Sequence, residues 1–312
     1  MKRVGIIGSG NVGTNTAFFL AENRVGAVTL VDIKEGVPKG KALDLMEAGP
    51  LRGYDTVIEG SSSMDSIAGC DAVVIAAGRV RKFGERRIDL YLENAETVKA
   101  ICHQIKRLTP DAVVINLVEP VDSLTLLAQV TLGFERHRVL GVGGLLSSTR
   151  LRYLVSDALA ISPREVTAMI VGPHRSSMVV LKDTVRVSGI PAATLLGEER
   201  LDALIEEVRS AGDTILQMAQ WSTAFYAPSA AACGLIEAVV RDTHAVLPVS
   251  MRLDGEYGLK DLSVGVAAQI GLRGVEKILT VKMNDRERQD FDSACSELRE
   301  LITQAKTLQA VS

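Results

Sequence analysis

Residues 4–13 read Val-Gly-Ile-Ile-Gly-Ser-Gly-Asn-Val-Gly, a short apolar run that passes directly into a glycine-rich turn. The run is typical of a buried strand, and the pattern of residues 11–21 predicts a helix. Within the turn, glycine occupies positions 8, 10 and 13. This spacing alone is common by chance, but between a strand and a helix it is typical of the start of a dinucleotide-binding unit.

Each part of the turn has a physical role. Gly8 and Gly10 permit a tight turn and a close approach of the backbone to a pyrophosphate, and Gly13 lets the helix pack closely on the strand. The helix N-terminus, with Asn11 and Val12 in its first turn, favours the negative charge of phosphates. We therefore expect these five residues to contact the pyrophosphate side of a dinucleotide.

A second apolar run ends in Asp32, about 20 residues after the turn, as the dinucleotide-binding fingerprint requires. A carboxylate at this position accepts hydrogen bonds from the ribose hydroxyls, and it would repel a 2′-phosphate. The sequence therefore predicts NAD rather than NADP as the cofactor.

The first half of the chain alternates apolar runs with stretches of helical length, which predicts a doubly wound parallel sheet of Rossmann type. The predicted strands are 4–7, 27–32, 56–59, 72–76, 112–117 and 139–142, and the helices include 11–21, 40–47 and 89–107. The second half is less regular, with helices near 148–158, 201–221 and 285–307 and strand-like runs at 166–171 and 178–180. We expect a cofactor domain over residues 1–143 and an α+β substrate domain over residues 144–312.

Composition excludes several other classes of protein. The formal net charge of −3 disfavours a nucleic-acid partner, because phosphate neutralisation requires a basic surface. No apolar run reaches the ~20 residues that span a bilayer, and the one at the N-terminus is too short for a signal peptide. The four cysteines are scattered and form no metal-ligand spacing. We expect a cytoplasmic protein with buried free cysteines and no metal site.

Three further stretches carry a resemblance. They are VDIKEGVPKGKALDLMEAGP at 31–50, AFYAPSAA at 224–231 and NDRERQDFDSACSELRE at 284–300. Together with the glycine turn, they make the chain similar over essentially its whole length to the lactate/malate dehydrogenase family, in particular its lactate-dehydrogenase-like bacterial malate enzymes. The resemblance implies NAD(H), a mobile loop that closes over a small 2-oxo or 2-hydroxy dicarboxylate, and a homodimer or homotetramer.

The resemblance also implies roles for individual residues. Arg81 matches the arginine that holds the distal carboxylate in malate enzymes, and Arg87 the one that polarises the substrate carbonyl. Arg150 matches the arginine that clamps the 1-carboxylate by a two-pronged contact. His174 matches the histidine that transfers the proton. Further positions implied at the site are Ala77, Gly78, Asn94 and Leu117 for the cofactor and Ser222 for the substrate.

Several positions depart from the family pattern. Ser147 stands where the family has the aspartate that pairs with the histidine, and a serine brings no charge to stabilise the protonated imidazole. Glu119 replaces a substrate-binding asparagine, and an ionised carboxylate cannot donate a hydrogen bond. Pro173, Arg175 and Ser176 replace smaller or acidic residues beside His174. Glu119 is expected either to act as the missing acidic partner of His174 or to pair with Arg175.

Three hypotheses follow from this combination. The first is an active dehydrogenase with His174 as acid and base, acting on malate and oxaloacetate because of Arg81. The second is the same chemistry on another 2-oxo acid, because Glu119 and Arg175 change the charge of the pocket. The third is a paralogue that keeps the NAD site for sensing or regulation and has lost catalysis. The loop 79–87 is also basic enough to suit a polyanion, although a solvated charged loop explains it equally well.

Overall fold

A nine-stranded sheet forms the centre of the molecule. The computed structural model describes residues 2–81, 84–174, 177–220 and 222–311, and of residues 309–311 it describes the backbone alone. The strands are β1 (Arg3–Ile7), β2 (Ala27–Val31), β3 (Ile58–Ser61), β4 (Ala72–Ile75), β5 (Val113–Asn116), β6 (Val139–Gly141), β7 (Val166–Thr167), β8 (Ile170–Val171), β9 (Val179–Val180), β10 (Arg186–Val187), β11 (Ile190–Pro191), β12 (Ala245–Asp254), β13 (Lys260–Gly271) and β14 (Gly274–Ile278). The helices are α1 (Asn11–Glu22), α2 (Val37–Arg52), α3 (Arg87–Leu108), α4 (Val121–Leu132), α5 (Gly144–Leu159), α6 (Ala192–Leu196), α7 (Glu198–Ala219), α8 (Tyr226–Val240) and α9 (Asp285–Val311).

The first six strands are parallel and lie in the order β3-β2-β1-β4-β5-β6. This order is that of the doubly wound dinucleotide-binding fold, so the predicted fold class is confirmed. Alternate side chains of a strand point to opposite faces, and both faces are covered here. Ile6 packs in one apolar cluster with α1, whereas Ile7 packs in another with α3.

The second half of the chain extends the same sheet. Strands β12, β13 and β14 are antiparallel, and Ser250 of β12 pairs with Gly141 of β6. The run 166–171, expected as one stretch, forms two strands in different sheets, because β7 pairs with β10 and β8 with β9. The β12–β13 hairpin was not expected from the sequence, and Pro248 within β12 explains why, since proline inside a run argues against a strand.

Cys70, Cys102, Cys233 and Cys295 are buried and form no disulfide, which confirms that part of the sequence prediction. Burial raises the pKa of Cys102 to about 12, so this thiol is unreactive at neutral pH. Within the described ranges, no helix is both long enough and apolar enough to cross a membrane.

Candidate active site

The glycine turn between β1 and α1 has the shape that the sequence predicts. Gly8 has a φ of +107°, and a Cβ there would lie 2.5 Å from the backbone nitrogen of Ala77. A Cβ on Gly13 would lie 1.9 Å from the carbonyl oxygen of Gly8. Both positions therefore exclude any side chain, because the backbone after β4 lies against Gly8 and helix α1 lies against the turn at Gly13.

Gly10 differs from its two neighbours, because a Cβ there would meet no atom within 4 Å. Gly10 is the N-cap of α1, no side chain caps this end of the helix, and its first turn contains no acidic residue. The N–H groups of the first turn of a helix lack intrahelical partners. Open space in front of free N–H groups and a positive helix end fits the pyrophosphate of a dinucleotide.

Asp32 lies at the end of β2 beside this turn. One carboxylate oxygen accepts hydrogen bonds from the N–H (2.8 Å) and the hydroxyl (2.9 Å) of Ser9, and the other accepts one from the N–H of Lys34 (3.2 Å). Partial burial would raise the pKa of Asp32, but the hydrogen bonds from Ser9 and Lys34 outweigh it and hold the pKa below its usual value. Asp32 is therefore ionised at neutral pH, the state that favours a ribose diol over a 2′-phosphate.

Alanine substitutions should separate folding from cofactor binding at the turn. We expect Gly13→Ala to lower the free energy of unfolding by about 1–3 kcal/mol or more, because its Cβ overlaps the backbone. Gly10→Ala should keep the melting temperature and weaken NADH binding at least about tenfold, because its Cβ enters the space needed by the pyrophosphate. Thermal unfolding and NADH fluorescence titration measure the two effects, and equal NADH affinity in Gly10→Ala would contradict this placement of the cofactor.

A cleft opens beside the turn, between β1 and β4, where the order of the strands in the sheet reverses. In open parallel sheets, ligands bind at this switch point, beyond the carboxyl ends of the strands. Val12, Gly78 and Leu117 line the cleft next to the turn, and its far wall is built by α5, α7 and the loop after β8. The structure therefore brings predicted cofactor and substrate residues into one space. Predicted site residues that line it are Val12, Gly78, Arg81, Arg87, Leu117, Glu119, Ser147, Arg150 and His174.

Asn94 of α3 is buried behind this wall rather than in it. Its amide NH₂ donates to the carbonyl oxygens of Arg79 (3.0 Å) and Glu119 (2.8 Å), and its amide oxygen accepts from the N–H of Arg79 (2.8 Å). The side chain thus ties the start of the basic loop to the end of β5. A cofactor contact by Asn94 stays a prediction. The hydrogen bonds of Asn94 show that it connects two backbone segments of the site.

The basic loop is largely neutralised by carboxylates of the chain. Arg79 pairs with Glu85 and Glu93, and their hydrogen bonds raise its pKa. Arg86 pairs with Asp89 at 2.7 Å. Lys82 and Phe83, also part of the expected loop, lie outside the described residues. Ion pairing on this scale disfavours the interpretation of the loop as a site for a polyanion.

Two arginines of the cleft behave differently. Arg87, the first residue of α3, and Arg150 of α5 make no hydrogen bond or ion pair with any residue that the structure describes. Burial lowers the pKa of Arg150, and the charge of Glu119 only partly opposes this. Unpaired cations in a partly buried cleft cost folding free energy, so their retention indicates an anionic ligand.

His174 is held by its backbone. It follows Gly172, which exchanges two hydrogen bonds (2.8 and 3.0 Å) with Gly265 of β13. Its own N–H donates to the carboxylate of Asp122 at 2.6 Å. Asp122 is buried in the first turn of α4, and this burial raises the pKa of its carboxyl group, against the opposing hydrogen bond and charge of His174. The loop is therefore fixed independently of the imidazole.

The two ring nitrogens of His174 face different partners. Nδ1 lies 3.4 Å from the hydroxyl oxygen of Ser147, a weak contact at most. Nε2 lies 3.4 Å from a carboxylate oxygen of Glu119, whose other oxygen accepts from the N–H of Val121 at 3.2 Å. The Glu119 carboxylate thus lies on the Nε2 side of the ring, where it lines the cleft.

Other predicted residues are placed less directly at the cleft. Ser222 does not line it, whereas the neighbouring Thr223 and Ala224 do. Arg175 and Ser176 lie outside the described residues, so the expected pairing of Glu119 with Arg175 stays a prediction. Predicted residues at or behind the glycine turn, away from the cleft lining, are Gly8, Gly10, Asn11, Gly13, Asp32 and Ala77.

Sequence reasoning missed two acidic residues of the site. Asp122, which supports the backbone of His174, stands three residues after Glu119, at the start of α4. Asp213 lines the cleft from α7 and pairs with Arg81. The spacing of Asp122 from the end of β5 is a usable signal, whereas nothing local marks Asp213 among the many acidic residues of its helix.

The chain was compared with family models, and two match consecutive parts of it. Residues 2–141 match the lactate/malate dehydrogenase NAD-binding domain, and residues 145–309 match the alpha/beta C-terminal domain of the same family. The chain belongs to the lactate/malate dehydrogenase family. The predicted resemblance is thereby confirmed.

Individual members of the lactate/malate dehydrogenase family match over nearly their full length. A malate dehydrogenase of Thermomicrobium roseum is 42% identical over 98% of this chain and 99% of its own. The malate dehydrogenase of Cryptosporidium parvum superposes with a TM-score of 0.95 at 32% identity, covering 98% of this chain and 99% of that one. The lactate dehydrogenase of the same organism, solved with lactic acid and nicotinamide adenine dinucleotide, gives 0.94 at 29% identity, with 98% of each chain covered.

Proposed function

We propose that the protein is an NAD-dependent malate dehydrogenase, which interconverts malate and oxaloacetate. The observation that carries the proposal is that Arg87 and Arg150, two guanidinium groups without a partner among the described residues, share one cleft with His174. The cleft adjoins a glycine turn that accommodates a dinucleotide. The names of the most similar relatives and solved structures support the same substrate.

NAD(H), when bound, supplies or accepts the hydride. The residues that would hold it are Gly10 with the N-terminus of α1 at the pyrophosphate and Asp32 at the ribose. Val12, Gly78 and Leu117 would contact it where the glycine turn meets the cleft. We infer NAD rather than NADP because Asp32 is ionised.

The other residues act on the substrate. Arg150 holds the 1-carboxylate, and Arg87 stabilises the negative charge that develops on the carbonyl oxygen. In its protonated form, His174 donates a proton to that oxygen and becomes neutral, and it takes the proton back in the oxidation of malate. Arg81, which also lines the cleft, faces the distal end of the substrate.

Glu119 is proposed to stabilise the protonated form of His174. The family's aspartate is missing at Ser147, which contributes no charge, whereas a Glu119 oxygen lies 3.4 Å from Nε2. A carboxylate here differs from the family's in one respect, because it lies on the side that the substrate oxygen approaches. It therefore stabilises the acid and also repels an incoming carboxylate.

A second candidate function is a catalytically impaired NAD-binding paralogue. The observation that favours it is the 3.4 Å contact between Ser147 and Nδ1, because a serine hydroxyl brings no charge to the protonated imidazole. The two candidates are separated by the initial rate of NADH oxidation with oxaloacetate, pyruvate and other 2-oxo acids. Turnover of roughly 1–10³ s⁻¹ with oxaloacetate supports the dehydrogenase. NADH binding without turnover on any of them would favour the paralogue, and a preference for another 2-oxo acid would revise the substrate.

Replacing Glu119 tests its proposed role. We expect Glu119→Gln to lower kcat about fivefold to tenfold, since an ion pair this exposed contributes on the order of 1 kcal/mol. The KM for oxaloacetate should fall at the same time, because a repulsive charge is removed. Steady-state kinetics over a range of pH measure both effects.

The matched control moves the carboxylate to the other ring nitrogen. In Ser147→Asp combined with Glu119→Asn, kcat should rise above that of Glu119→Gln, because an acidic partner is present at Nδ1 instead. Ser147→Ala should change kcat little, given the 3.4 Å contact that it removes. Unaltered kcat and KM in Glu119→Gln would rule out the role.

The remaining expectations are proposals of the same kind. We propose a homodimer or homotetramer, with exposed apolar residues of α2 such as Leu43 and Met46 in a subunit contact. Sedimentation velocity of the purified protein tests the assembly. A cytoplasmic location, and a cofactor domain over residues 1–143 with a substrate domain over 144–312, are likewise proposed.

A further inference from the structure

Arg81 is not available to a ligand in the way that Arg87 and Arg150 are. Its guanidinium forms an ion pair with the carboxylate of Asp213, a residue 132 positions later in the chain. The Arg81 side chain is 29% exposed and that of Asp213 is 50% exposed. The pair therefore lies at the mouth of the cleft, between the loop after β4 and helix α7.

Both members of this pair line the cleft. The α7 side of its wall consists of Val208, Arg209, Gly212, Asp213 and Leu216. The acidic residues nearest to Asp213 on the same helix, Glu206 and Glu207, do not line it. Glu206 pairs with Arg209 at 3.1 Å, and Glu207 faces Arg200 at 3.7 Å. Asp213 is thus the carboxylate of α7 that faces the ligand space.

We propose that Asp213 is a specificity-determining residue, which competes with the distal group of the substrate for Arg81. The inference rests on the proposed function. A distal carboxylate that pairs with Arg81 must displace Asp213 or share the guanidinium with it, and it approaches against the charge of Asp213. A 2-oxo acid with an uncharged distal group makes no such exchange, because the Arg81–Asp213 pair then stays intact.

The consequence is a smaller difference in affinity between dicarboxylate and monocarboxylate substrates. A free arginine would add a full charge-assisted contact to a distal carboxylate. Here that gain is reduced by the ion pair that is lost. The exchange also removes the ion pair that joins Arg81 to α7.

The test compares Asp213→Asn with the parent on oxaloacetate and pyruvate. We expect the KM for oxaloacetate to fall about threefold to tenfold, as the loss of a partly exposed ion pair implies. The KM for pyruvate and both kcat values should change less than twofold or so by the same measure. Glu207→Gln, which removes one charge from the same helix outside the cleft, is the matched control and should leave both substrates unchanged.

A binding measurement keeps the proposal separate from the proposed reaction. Protein saturated with NADH is titrated by calorimetry with hydroxymalonate, a dicarboxylate, and with oxamate, a monocarboxylate, neither of which is reduced. Tighter hydroxymalonate binding in Asp213→Asn, with oxamate unchanged, supports the role of Asp213 even if turnover is absent. Equal affinity for hydroxymalonate in the two proteins, or weaker binding in the variant, would overturn it.

Discussion

Replacement of His174 by asparagine is expected to lower kcat for oxaloacetate reduction by about 10²–10⁴, the usual contribution of a positioned acid. Asparagine cannot release a proton at neutral pH. The backbone N–H of residue 174 should still donate its hydrogen bond to Asp122 in the variant. The Gly172–Gly265 bridge is likewise unaffected, so the loop should hold its shape. Stopped-flow measurement of NADH oxidation gives the rate, and fluorescence titration gives the NADH affinity, which should not change.

The matched control for this variant is His103→Asn, an exposed histidine of α3 that does not line the cleft. It should retain the parent rate. Full activity in His174→Asn would show that another group delivers the proton. Glu119 would then be the candidate proton donor, because its carboxylate lies 3.4 Å from Nε2 of His174.

Replacement of Arg150 by methionine is the second large expected effect. It should raise the barrier measured by kcat/KM by roughly 2–5 kcal/mol, as removal of one partner of a desolvated charge pair does. This corresponds to a loss of about 30- to 5,000-fold. The kcat/KM of Arg150→Lys should lie between those of the parent and of Arg150→Met, because an ammonium keeps the charge and loses the two-pronged contact.

The stability of the Arg150 variants separates a ligand-binding role from a structural one. Arg150 has no partner among the described residues, its Nε is buried, and burial lowers its pKa. An uncompensated, partly buried cation opposes folding, so Arg150→Met should melt no lower than the parent. Loss of stability together with normal kcat/KM would contradict the assignment of this arginine to the substrate.

The sequence was most informative where the determining contacts are local. Gly8, Gly13 and Asp32 are specified by a strand, a turn and a helix that follow one another, and each has the close approach or hydrogen bonds that its type predicts. The six parallel strands are similarly readable, because strands buried on both faces are almost continuously apolar.

Contacts between distant parts of the chain were harder to predict. Two outcomes were expected for Glu119. The position of its carboxylate, 3.4 Å from Nε2 of His174, supports the first, whereas pairing with Arg175 stays a prediction. Asp213 lies on an exposed amphipathic helix where acidic residues are ordinary, so its pairing with Arg81 has no local signal. The family resemblance identified the four cationic groups, but the partner that neutralises one of them is visible only in three dimensions.

The pairing of Ser250 with Gly141 has a further consequence for how the cleft can open. Many two-domain enzymes admit substrate by a hinge between rigid bodies. Here β12 joins the β12–β13 hairpin of the second half of the chain to β6 of the first half. A hinge at residue 143 would therefore break hydrogen bonds within a shared sheet. The shared sheet therefore fixes the distance between the glycine turn and the second half of the chain, and the two sides of the cleft behave as one scaffold.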